Sequence, residues 1–132
     1  METMREVAAG LWVSGLVEAR EWAGAVDLVI DCLDRYGPTG RTNHSWTPDD
    51  LDRIVDVVRG CEGDVLIHCR SGKSRSATAA AAVILDRGLA ASPKAAMDMA
   101  RLGTRRMNSQ SIGGLNRWWA RRQAARQTSM FG

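Results

Sequence analysis

Residues 65–77 read VLIHCRSGKSRSA. A hydrophobic run ends in His68 and Cys69, and the next seven positions hold two arginines, a lysine, three serines and a glycine before a run of alanines begins. These residue types suit two tasks in one loop: gripping an oxyanion and attacking it with sulfur. A short loop that feeds a helix N-terminus turns unpaired backbone N–H groups inward, and the helix dipole adds positive potential there. Gly72 permits a backbone turn that a side chain would block. Arg75 brings a planar fork able to hold two oxygens of a phosphate at once. A thiol at Cys69 in such a field loses its proton readily and becomes a nucleophile. Ser76 is placed to donate a hydrogen bond to the sulfur when it departs as thiolate.

Two plainer accounts compete. A cysteine after a strand often serves as a small buried hydrophobe, and a Gly/Ser/Lys loop before a helix often binds a nucleotide phosphate. The second needs the spacing G-x-x-x-x-G-K-[ST], which is absent. The first leaves unexplained why nucleophile, glycine, arginine and hydroxyl share one loop.

The elements that must hold this loop are legible around it. LWVS at 11–14 reads as a short strand and Val17–Trp22 as a short helix. VDLVIDCL at 26–33 reads as a buried strand, being apolar, rich in β-branched residues and short. RYGPTGRTN then has the Gly, Pro and Asn of a loop. Thr47-Pro48-Asp49-Asp50 is a helix start, with a Thr cap, Pro at the first helical position and acids in the first turn. Leu51, Ile54, Val55 and Val58 share one face of that helix, which ends near Gly60. Residues 64–68 form a second buried strand, and the helix 76–87 follows the loop and stops at Gly88. Ser92-Pro93 opens a helix to about Leu102, and 109–126 forms another. Strands alternating with helices imply an α/β fold, a central, mostly parallel sheet of about four strands flanked by helices. The loop at 69–76 falls at the carboxyl edge of that sheet, where such folds place ligands.

The composition sets bounds. A chain of 132 residues fits one domain over its whole length, 1–132, with a single core. The net charge of +3 favours anionic partners but is too mild to indicate nucleic acid by itself. Lys73 and Lys94 are the only lysines, so arginine carries the basicity. The three cysteines, Cys32, Cys61 and Cys69, form neither a disulfide framework nor a zinc pattern and suit a reducing compartment. No signal peptide or membrane-length apolar run is present, so a cytoplasmic location is expected.

His68-Cys69-Arg70-Ser71-Gly72-Lys73-Ser74-Arg75-Ser76 resembles the H-C-x-x-G-x-x-R-[S/T] signature of cysteine-dependent protein tyrosine phosphatases. Its position in mid-chain looks like the dual-specificity branch. GLWVSG near the start is similar to that branch's entry strand, VDLVIDCL to its next central strand and RMNSQSIGGLNRWW to its closing helix region. The resemblance thus covers most of the chain. It implies a phosphatase acting on phosphotyrosine, and on phosphoserine or phosphothreonine, in proteins, with no metal or other cofactor. Cys69 is then the nucleophile, and Arg75 clamps the phosphate within a cradle formed by Arg70, Ser71, Gly72, Lys73, Ser74 and Arg75. His68 orients the loop, and Ser76 assists breakdown of the phosphoenzyme.

A phosphate ester also needs a proton donor for its leaving oxygen, and one carboxyl can serve both half-reactions. The family draws this Asp from a loop ahead of the helix preceding the cysteine strand, a region shortened here. Asp49 and Asp50 follow Trp46-Thr47-Pro48, a stretch similar to the family's acid loop; Asp34, at the end of a neighbouring strand, is their rival. The plain account of Asp49 and Asp50 is charge that complements the helix dipole. Basic residues at Arg70 and Lys73 occur in family members acting on phosphoinositides, so a phosphoinositide or RNA 5′-phosphatase, or a catalytically weak phospho-binding module, stands as the alternative. Cys32, on a strand beside that of Cys69, suggests a reversible disulfide that would protect the nucleophile. Trp118 and Trp119 with Arg117, Arg121, Arg122 and Arg126 could mark a membrane-surface or nucleic-acid helix, but such tryptophans more often cap a core beneath solvated arginines.

Overall fold

The computed structural model describes residues 4–32, 46–69, 75–101 and 109–131. Its centre is β4 (Val65–His68), four consecutive buried residues with a parallel partner on each side. A strand covered on both faces has no need to alternate apolar and polar positions, which explains why VLIH reads as a continuous run. The partners are β2 (Leu11–Ser14) and β3 (Leu28–Asp31). In their register Ser14 and Asp31 both lie opposite His68, so three strands end level. The edge they share carries Cys69.

Beyond β2 lies β1 (Met4–Ala8), antiparallel to it, giving the order β1-β2-β4-β3. No strand was expected over MREVA, and the reason is physical: on this edge strand only Val7 is fully buried, so the apolar pattern is faint. The connecting turn holds Gly10 at φ +70, a left-handed conformation that glycine adopts at little cost. The expected fold class is thus present, a mostly parallel four-stranded sheet with one antiparallel edge pair.

Among the described residues five α-helices flank the sheet: α1 (Leu16–Trp22), α2 (Pro48–Arg59), α3 (Arg75–Asp86), α4 (Pro93–Ala100) and α5 (Ser109–Phe131). α2 begins where its sequence dictates. The Asp50 N–H donates to Thr47 Oγ1 at 3.1 Å, and the Thr47 N–H donates to Asp50 Oδ2 at 3.3 Å, a reciprocal cap worth about 1 kcal/mol. α3 is apolar all round and is buried from Ser76 to Leu85. Its alanines let β2, β4, α2, α4 and α5 approach it closely. It closes in a Schellman motif: Leu89 N–H donates to the Ile84 carbonyl at 3.0 Å and Gly88 N–H to that of Leu85 at 3.1 Å, with Gly88 at φ +73.

α5 is tied down by charge as well as packing. Trp118 is fully buried, and its indole N–H donates to Asp52 Oδ1 of α2 at 2.8 Å. Arg121 pairs with Asp49 at 2.9 Å and with Asp52. Arg122 reaches Asp86 of α3 at 2.8 Å and stacks over the Trp118 ring at 4.7 Å. Trp118, Arg121 and Arg122 are therefore engaged within the fold. Among the described residues no helix is long and apolar enough to cross a membrane.

Candidate active site

β4 delivers Cys69 to the carboxyl edge of the sheet, and the neighbouring strands hold the end of β4 from both sides. Cys32 N–H donates to the His68 carbonyl at 2.8 Å, and Cys69 N–H donates to the Ser14 carbonyl at 3.4 Å. The thiol that follows is 4% exposed. Its Sγ lies 3.3 Å from Ser76 Oγ, so residues seven apart in sequence meet where β4 ends and α3 begins. Ser76 is itself buried.

Arg75 opens α3 one residue earlier. Its carbonyl accepts the indole N–H of Trp46 at 3.1 Å, a bond from the approach to α2 across to the start of α3. Trp46 is 1% exposed and part of the hydrophobic core. Sequence reasoning named Trp46 only as a neighbour of the acid candidates. Its isolation in the polar stretch RTNHSWTP was the available signal, since a large aromatic there needs a core to enter.

His68 is buried, and its Nδ1 has no hydrogen-bond partner among the described residues. Cys32, the residue after β3, continues the register that pairs Asp31 with His68 and so lies alongside Cys69. The two are not joined in a disulfide. Burial pushes the Cys32 pKa well up, Cys69 and Asp31 add to the rise, and Arg75 opposes it. Cys32 and Arg75 therefore share the electrostatic environment of the site.

The cradle candidates Arg70, Ser71, Gly72, Lys73 and Ser74 lie outside the described residues, as does the acid candidate Asp34. Asp49 and Asp50 stand at the first turn of α2, just beyond Trp46. Each has other work. Asp50 caps its own helix and pairs with Arg53 at 3.1 Å. The Asp49 side chain is 85% exposed and bonded to Arg121. His68, Cys69, Arg75 and Ser76 are thus gathered at one strand-to-helix junction, and the carboxylates of Asp49 and Asp50 turn to α2 and α5. Among the described residues no group of three His, Cys, Asp or Glu side chains is placed to hold a metal.

Protein-family models and curated protein sequences yield no match. Solved structures do. PTPMT1 superposes with a TM-score of 0.74 at 17% identity, covering 95% of this chain and 99% of the other. Human DUSP28, in a Tyr-to-His variant, gives 0.72 at 20% identity over 95% and 99%. Tk-PTP, in a Gly-to-Ala variant, gives 0.71 at 21% identity over 92% and 97%. These structural neighbours are dual-specificity or cysteine-dependent tyrosine-phosphatase-like proteins, and the present chain shares their fold over nearly its whole length.

Proposed function

We propose that this chain is a cysteine-dependent phosphatase that hydrolyses phosphomonoesters, phosphotyrosine and phosphoserine or phosphothreonine of proteins among them, through a phosphocysteine intermediate. The observation that carries the reading is the 3.3 Å approach of Cys69 Sγ and Ser76 Oγ across the strand-to-helix junction, with Arg75 beside it. In the first half-reaction the Cys69 thiolate attacks phosphorus, the P–O ester bond breaks, and the leaving oxygen takes a proton from a carboxylic acid. The Arg75 guanidinium, with the cradle of residues 70–75, holds the remaining oxygens and their developing charge. In the second, water attacks phosphorus, the same carboxylate accepts its proton, and the P–S bond breaks. As that bond breaks, the Ser76 hydroxyl donates a hydrogen bond to the sulfur, which departs as thiolate. The acid is drawn from Asp49, Asp50 and Asp34; for Asp49 or Asp50 to serve, its present bonds must be exchanged for the substrate.

One observation favours a second substrate class. PTPMT1 has been solved in complex with PI(5)P, and superposes with a TM-score of 0.73 at 16% identity. Arg70 and Lys73 would add cations for such a headgroup. Turnover of p-nitrophenyl phosphate in EDTA, abolished by Cys69→Ser, tests the phosphatase reading. Binding of phosphate without turnover would instead indicate a phospho-binding module. Phosphopeptides, inositol lipids and RNA 5′ ends, compared by kcat/KM, separate the substrate classes.

A further inference from the structure

Trp46 and Gly114 join the site to the C-terminal helix. The Trp46 indole N–H donates to the Arg75 carbonyl at 3.1 Å. Arg75 is the first residue of α3, so its orientation depends on how the opening turn of that helix is held. A carbonyl has two lone pairs, and an indole bond can add to the helical one. This bond ties the start of α3 to a ring sunk in the core, and through Thr47 to the cap of α2.

The main chain that carries the ring is itself backed by α5. Gly114 of α5 lies so close to the Trp46 main chain that an added Cβ would overlap the Trp46 carbonyl oxygen. The same Cβ would press within 3.2 Å of the Trp46 carbonyl carbon and Cβ. A glycine in a helix interior is unfavourable relative to alanine, so this position carries a local penalty that close packing explains. The adjacent Gly113 shows the contrast: a Cβ there would meet only an end nitrogen of Arg117, at 3.4 Å.

From this geometry we infer that Trp46 is a positioning residue for Arg75 and that Gly114 of the C-terminal helix sets the place of Trp46. The inference rests on the reading of Arg75 as the phosphate clamp. The indole fixes the backbone from which the guanidinium projects, so its removal loosens the grip on the phosphoryl group. The carbonyl of Arg75, not its charge, is the point of control.

Trp46→Phe keeps most of the ring and removes the N–H; Gly114→Ala keeps the N–H and shifts its seat; Gly113→Ala repeats the helix-propensity change without the overlap. Each is assayed for kcat and KM with p-nitrophenyl phosphate, for inhibition by inorganic phosphate, and for thermal unfolding. Trp46→Phe and Gly114→Ala are expected to lower kcat/KM and weaken phosphate inhibition by about tenfold, the scale of one lost hydrogen bond. Gly113→Ala is expected to match the parent. A role in stability alone would lower the melting temperature and leave phosphate inhibition of the folded protein unchanged. Parent-like constants in both folded variants, equal effects of Gly113→Ala and Gly114→Ala, or failure of both variants to fold would overturn the inference while leaving the phosphatase reading intact. A parent that neither turns over the ester nor binds phosphate overturns that reading and this inference with it.

Discussion

The seam between α2, α3 and α5 and the segment 69–76 both gather arginine, and they differ in what is supplied to meet it. In the seam each cation has a carboxylate from another helix: Arg59 and Arg122 converge on Asp86, and Arg121 bridges Asp49 and Asp52. Segment 69–76 contains two arginines, a lysine and no acid of its own. The seam's charges are internally matched and hold helices together. Of the loop's cations, Arg75 opens α3 beside a thiol and a hydroxyl that meet where β4 gives way to the helix. The lesson is that a basic sequence says little until its acids are located, because the same residue type is a rivet in one place and, in the proposed function, an anion grip in another.

The sharpest way to break the contrast is to remove the loop's chemistry. Cys69→Ser is expected to lower turnover of p-nitrophenyl phosphate by at least about 10³-fold, because the nucleophile is lost. Arg75→Lys keeps the charge but loses the planar fork, and a fall of about 10²-fold in kcat/KM is expected. Residual activity near the parent's in either variant would place the chemistry elsewhere. Asp34→Asn, Asp49→Asn and Asp50→Asn sharpen the account further. On an alkyl phosphate, whose leaving group needs a proton, the true acid should cost about 10²-fold and lose one limb of the pH–rate profile. On p-nitrophenyl phosphate the same variant should lose much less.

The part of the seam around Asp86 should respond in stability and not in turnover. Burial alone would raise the pKa of Asp86, but hydrogen bonds from Arg59 and Arg122 override it and hold the carboxyl below its ordinary value. Its stabilising contribution is therefore full above the unfolded-state pKa of about 3.9 and is lost as pH falls through the lower folded-state value. Asp86→Asn is expected to cost about 1.5–3 kcal/mol in urea unfolding at neutral pH, with kcat unchanged. An equal loss of catalysis would erase the distinction between the two regions.

Cys32 provides the smallest effect and the opposite sign. Its folded-state pKa is raised, chiefly by burial, so the proton is held more tightly in the folded chain than in the unfolded one. Stability should be full below the unfolded thiol pKa of about 8.5 and fall above it by up to about 1.4 kcal/mol per pH unit. Cys32→Ser should flatten that alkaline slope, measured by urea unfolding between pH 7 and pH 10. An unchanged slope would show that another group titrates there.

Much of this was legible in the residues. Thr47-Pro48 and Ser92-Pro93 announce helix starts because cap and ring chemistry act locally, and Gly88 announces a stop for the same reason. VLIH and the run of alanines after Ser76 announce a buried strand and a buried helix by composition alone. β1 was not legible, since its pairing is set by β2 across a turn and its own pattern buries only Val7. Ser76 was named as a donor to the sulfur from its place one residue past Arg75, and its Oγ lies 3.3 Å from the Cys69 Sγ. The bond from Trp46 to Arg75 was not legible, because it joins residues 29 apart in different elements. The fate of Asp49 was hidden for the same reason: Arg121 comes from a helix 72 residues on.

The central claim is that phosphate passes through the sulfur of Cys69. Rapid mixing with a ³²P-labelled aryl phosphate, a denaturing quench and peptide mapping test it most directly. The account predicts label, approaching one phosphate per chain when the acid is replaced, on the peptide holding Cys69 and none in Cys69→Ser. Steady turnover with no labelled protein, or label on a different residue, would contradict it.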